Sequence, residues 1–103
     1  MSANRYEGKP MLKFLELYVI HCLGLLSDED KKNMEDITPY LAKMFGKKGT
    51  WVQIIAAGMD FPPRLPEMIQ QVWQENQVIA KQHNVTLSPQ QFAEMFVDEN
   101  LGE

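Results

Sequence analysis

The sequence predicts an all-α fold, one compact domain of five or six helices built around a central apolar helix. Three observations predict it. Apolar residues recur at intervals of three and four along most of the chain, and no stretch alternates with the period of a strand. Helix start and stop signals follow one another at short intervals. Finally, the segment Met59-Asp60-Phe61-Pro62-Pro63-Arg64-Leu65-Pro66 separates two helix-periodic stretches. Proline has no N–H and clashes with the preceding turn, so no helix runs through it. A chain of 103 residues has the size of a single domain, and an apolar fraction of 45% is enough for one core.

The first nine residues are polar and are expected to be flexible, with residues 10–103 forming the domain. Pro10 suits the first turn of a helix, where a missing N–H is not felt. The helix it opens is expected to run to about Leu26. At 100° per residue Lys13, Glu16, His21 and Gly24 fall in one narrow sector, and the rest of the circumference is apolar. A helix apolar on most sides is surrounded by others, so this one is taken as central.

Ser27-Asp28-Glu29-Asp30 opens a second helix, with Ser27 as cap and three carboxylates at the positive end of the helix dipole. Met34, Ile37, Leu41, Met44 and Phe45 then recur at helical spacing. Thr38-Pro39 interrupts that run. Either the helix kinks there, or it ends and Thr38 caps a short new helix from Pro39; the second is preferred because Thr-Pro is a good helix start. Gly46 is the expected stop.

Thr50-Trp51-Val52-Gln53 matches a capping box. The short helix it opens reaches about Gly58 and has Gln53 as its one polar side chain. Ala56, Ala57 and Gly58 are small enough for another element to approach closely. After the prolines, Pro66 opens a long helix to about His83, with Asn84 as its stop. Leu65, Ile69, Val72, Trp73, Ile79 and Ala80 form its apolar arc. Ser88-Pro89-Gln90-Gln91 is a second capping box. The last helix carries Phe92, Met95, Phe96 and Val97 and is expected to fray near Asn100.

The chemistry-bearing residues are sparse. A net charge of −4 argues against nucleic acid and against an anionic membrane surface, since both need clustered Lys and Arg. The run Met11–Leu26 is short for a membrane span and carries Lys13, Glu16 and His21. One cysteine, Cys22, excludes an intrachain disulfide. There is no CxxC, HExxH, GxSxG or glycine-rich phosphate loop. A metal site would need His21, Cys22 and His83 to converge with no local ligand spacing to support it. No catalytic residues, metal or cofactor are therefore expected, and the expected location is cytoplasmic.

Two surfaces remain. On the Trp51 helix, Val52, Ala56 and Met59 share one side, while Trp51, Ile54 and Ile55 share another. One short helix does not easily bury both in so small a domain. Trp51, Val52, Met59, Phe61 and Pro62 are therefore the candidate protein-contact residues, for a partner protein or for a second copy in a homodimer. The alternative is a small-ligand pocket between the central and long helices, lined by Trp73, Asn76 and His83, with His21 nearby. If Asn76 is buried, its amide is expected to bond backbone near a helix end, because an unpaired buried amide costs about 1–3 kcal/mol. The basic group Lys43, Lys47 and Lys48 suits a helix C-terminus. The acidic groups at Asp28–Asp30 and at Asp98, Glu99 and Glu103 suit solvated ends or a basic partner.

Overall fold

A computed structural model describes residues 7–8 and 10–101. Five helices follow one another: α1 (Pro10–Cys22), α2 (Asp28–Phe45), α3 (Trp51–Gly58), α4 (Leu65–Gln82) and α5 (Pro89–Phe96). One π-helical turn, Val97–Leu101, continues α5, where a frayed end was expected. No strand occurs among the described residues. The expected flexible segment 1–9 lies outside them, apart from Glu7 and Gly8.

α1 is the centre of the domain. Leu15, Glu16, Leu17, Tyr18, Val19 and Ile20 are all buried, a run long enough to pass right round the helix. α3, α4, α5 and the π-helical turn all pack against it, while α2 joins the domain mainly through α3. The core adds Met34 and Leu41 from α2, Trp51, Ile54 and Ile55 from α3, Leu65 and Ile69 from α4, and Phe92, Ala93, Phe96 and Val97 from the last helix.

Four of the five helices stop in the same way. Leu25 N–H bonds Ile20 O at 3.2 Å, Lys47 bonds Ala42 at 3.1 Å, Phe61 bonds Ala56 at 2.9 Å, and Val85 bonds Ala80 at 2.8 Å. Each bond spans six residues and closes over a left-handed residue: Gly24, Gly46, Asp60 and Asn84. This is the Schellman closure, which satisfies carbonyls that the helix leaves free. It ends α1 at Cys22 rather than Leu26. It also ends α3 before the prolines are reached, so Pro62 and Pro63 lie in the connection to α4 and do not terminate α3. Leu65 N–H then bonds Pro62 O at 3.0 Å and leads into α4.

α2 passes through Pro39 without ending, contrary to the expected break at Thr38. Thr38 does not cap a new helix; its hydroxyl donates to Met34 O at 2.8 Å, one turn back. Pro39 lies on the exposed side, whereas Met34 and Leu41 lie two turns apart on one buried face. Burial of both ends of that face holds the helix together across the proline, which outweighs the local start signal.

Glu16 is a second departure. Its sector places it among the polar residues of α1, yet it is fully buried. Gln90 Nε2 donates to Glu16 Oε1 at 2.8 Å and to Glu94 Oε2 at 2.9 Å, so one amide of α5 bridges two carboxylates. α4 is tied down by two further glutamines. Gln70 Nε2 donates to Cys22 O at the end of α1 (3.0 Å), and Gln77 Nε2 donates to Leu87 O before α5 (3.1 Å).

Candidate functional site

α3 begins as its sequence dictates. Thr50 Oγ1 accepts from Gln53 N–H at 3.2 Å, and Gln53 Oε1 accepts from Thr50 N–H at 2.9 Å. This reciprocal cap fixes where the first turn starts, and so which side chains face inward. Trp51, Ile54 and Ile55 are buried, while Val52, Ala56 and Met59 are only half-buried at the edge of the core. The small residue that permits close approach is Gly58. A methyl group there would meet the ring of Phe45 from α2, 2.6 Å from its Cγ. Ala57 faces solvent.

Just past α3, Phe61 turns inward. Its ring lies 5.0 Å from that of Tyr18, tilted by 54°, and it packs on the core. Pro62 and Pro63 are exposed. The five candidate contact residues thus divide. Trp51 is buried, Phe61 is half-buried on Tyr18, Val52 and Met59 are half-open, and Pro62 is exposed. The surface they leave to a partner is the line Val52, Ala56, Met59 and Pro62.

At the N-terminal end of that line lies an open depression of about 600 Å³, lined by His21, Glu35, Thr38, Thr50, Trp51 and Val52. The His21 ring stands edge-on to Trp51, with centroids 5.4 Å apart. Partial burial there, and then the nearby Lys31 ammonium, hold His21 below the usual histidine value. Tyr18 and Cys22 lie one turn apart on α1. Burial, then the Cys22 charge and hydrogen bond, push the Tyr18 hydroxyl up to about 12. Burial likewise pushes the Cys22 thiol up to about 11, against a hydrogen bond to Tyr18 that lowers it. A thiol raised in this way is a poor nucleophile and a poor metal ligand at neutral pH.

The alternative pocket residues do not act together. Trp73 packs T-shaped on Phe92, with centroids 5.2 Å apart. The Asn76 amide donates to Val72 O at 2.8 Å, within its own helix and not at a neighbouring helix end. His83 is exposed past the last turn of α4, and His21 turns toward α3. An open depression of about 460 Å³ at this end is lined by Gln77, Val78, Lys81, Asn84, Val85 and Thr86, and includes none of the three. Ile79, expected in the apolar arc, is 52% exposed, because only the first half of α4 is covered by the core.

Among the described residues, Gln70, Gln77 and Gln90 join elements through their side-chain amides, and sequence reasoning missed all three. A glutamine on a helix face carries no local signal of its partner, which here lies up to 74 residues away. Among the described residues, no three His, Cys, Asp or Glu side chains are placed to hold a metal ion, and no helix is long and apolar enough to cross a membrane. Comparison with protein-family models, curated proteins and solved structures finds no match.

Proposed function

We propose that this chain is a small, non-catalytic, cytoplasmic helical protein that acts through protein–protein contact, in the manner of an adaptor, a regulator or a toxin-neutralising inhibitor. The contact surface is the open side of α3 with the proline elbow. The observation that carries this reading is the division of α3. Its buried side is filled by Trp51, Ile54 and Ile55, yet its other side, Val52, Ala56 and Met59, stays half-open and runs on to exposed Pro62 and Pro63. Apolar groups held on a capped helix and a stiff proline turn lose little entropy when a partner covers them. Large apolar residues also dominate the energetics of such contacts.

The test is affinity capture from the native host lysate, using the wild-type chain and a Val52→Lys, Met59→Lys double variant. A stoichiometric protein retained by the wild type and lost by the variant is the expected result, with helicity unchanged by circular dichroism. Both side chains are half-exposed, so the variant is expected to keep its fold. Equal retention by the two proteins would remove this surface from consideration.

A further inference from the structure

α2 carries a second exposed surface that the α3 contact does not use. Tyr40 is 62% exposed and Met44, one turn on, is 43% exposed. With Asn33 and half-buried Ile37 they form one stripe along the outer side of α2. Tyr40 exposes a larger fraction of itself than any other large hydrophobic residue among those described. Its neighbours along the helix are not neutral. Residues 28–36 hold Asp28, Glu29, Asp30, Glu35 and Asp36 against Lys31 and Lys32, five negative charges and two positive, or −3. Residues 37–48 hold Lys43, Lys47 and Lys48 with no acidic residue, or +3. The helix with its C-terminal turn is therefore a charge dipole of two equal and opposite halves, with the apolar stripe across its middle.

We propose that two copies of this chain pair through this face, α2 against α2 and antiparallel, about a two-fold axis beside Tyr40. Such an interface is isologous, so the surface must complement itself. An antiparallel pair lays the acidic half of one helix along the basic half of the other. With the axis at Tyr40, Ile37 comes within one residue of the partner's Met44, and Asp36 within one residue of the partner's Lys43. Both pairings share one axis to within a residue, about 1.5 Å along the helix. Tyr40 then meets the partner's Tyr40 at the axis, where aromatic residues contribute most. One pair of helices covers less than the roughly 800 Å² per partner of a standard interface, so the dimer is a weak one, sensitive to salt. The same charge order also favours the dipole of an isolated helix. That reading, however, predicts no association and gives no reason for Tyr40 and Met44 to stand open beside it.

The experiment is sedimentation equilibrium of the full chain over a range of concentrations, at low and high salt. The wild type is expected to show a reversible monomer–dimer equilibrium that weakens as salt rises. Tyr40→Glu and, separately, Met44→Lys are expected to weaken it by about tenfold or more. Both residues are exposed, and circular dichroism confirms that each variant is folded. Lys43→Glu weakens the dimer by setting two acidic groups face to face. Adding Asp36→Lys to Lys43→Glu restores it, because the cross-axis pair is rebuilt with its signs exchanged. Rescue of this kind cannot arise from the helix dipole, which Lys43→Glu worsens in the last turn and which Asp36→Lys, mid-helix, does not repair. A wild type that stays monomeric at millimolar concentration, or a dimer indifferent to Tyr40→Glu, or a double exchange without rescue, would overturn the proposal. The dimer does not rest on the α3 surface. Val52→Lys with Met59→Lys leaves it intact, so the two readings fail separately.

Discussion

Replacing Gln90 with leucine tests how the buried polar seam between α1 and α5 is held. Gln90 Nε2 donates to Glu16 Oε1 at 2.8 Å and to Glu94 Oε2 at 2.9 Å. Glu16 is fully buried, whereas Glu94 is half-buried. A hydrogen bond to a charged group contributes about 1.5–3 kcal/mol, and a buried charge that loses a partner retains its desolvation cost. The bond to Glu16 takes the upper part of that range, and the more solvated bond to Glu94 adds less. Leucine returns part of the loss by burying apolar surface at a half-buried position. The net expectation is a destabilisation of about 2–4 kcal/mol, a large share of the ~5–15 kcal/mol stability of an ordinary domain. At roughly 4–8 °C per kcal/mol for a chain this size, the midpoint falls by roughly 8–32 °C. Urea unfolding followed by circular dichroism measures the loss directly, with exposed Gln74→Leu on α4 as the control. The wild type, Gln90→Leu, Glu16→Gln and the double variant close a cycle that isolates the Gln90–Glu16 coupling. A loss below about 0.5 kcal/mol, or a coupling indistinguishable from zero, would show that the bridge does not hold the seam.

Three further outcomes follow from the geometry. Gly58→Ala places a methyl group 2.6 Å from the Phe45 Cγ; overpacking of about 1–3 kcal/mol outweighs the ~1 kcal/mol gained in helix propensity, and a more stable variant in urea unfolding would contradict the close approach. Cys22, raised from 9.0 to about 11 by burial, is expected to react with iodoacetamide at pH 8 about a hundredfold more slowly than in the unfolded chain, and equal rates by mass spectrometry would refute its shielding. His21 is held below its ordinary value by partial burial and then by Lys31, so the unfolded chain binds the proton first. That part of the stability is whole above pH ~6.5 and declines as the pH falls below it toward the folded value. His21→Asn is expected to flatten this slope, and an NMR titration placing the ring at or above 6.5 would refute the shift.

Much of the fold is legible because its signals are local. The capping boxes at Thr50 and Ser88, and the stops at Gly46 and Asn84, act within six residues, and each is found where the pattern places it. The two stops that were not read, Gly24 and Asp60, are single residues. Gly24 lies inside an apolar run whose periodicity continues past it, and Asp60 is masked by the stronger proline signal that follows. Thr38-Pro39 shows the opposite error. There a clear local signal loses to the burial of Met34 and Leu41 on either side, because tertiary packing outweighs the preference of one dipeptide.

The candidate surfaces are less legible, and the reason lies in what decides exposure. Val52 and Met59 share a side of α3 by spacing alone, but whether that side is covered depends on α1 and α2 arriving against the other one. His21 shows the same dependence: its sector on α1 is polar by periodicity, while its edge-on contact with Trp51, thirty residues away, comes only from the docking of α3. Glu16 shares that sector and meets the reverse fate, buried because α5 presents Gln90 to it. These two residues, about 140° apart around α1, thus part company, one to a rim and one to the core. A different element arrives on each side, α5 at Glu16 and α3 at His21. Gly58 is where that arrival is controlled on the α3 side, since the helix lies close to α2 only where no side chain stands between it and Phe45. A bulkier residue there would tilt α3 away from α2 and carry Thr50, Trp51 and Val52 with it, altering the depression that they line with His21, Glu35 and Thr38.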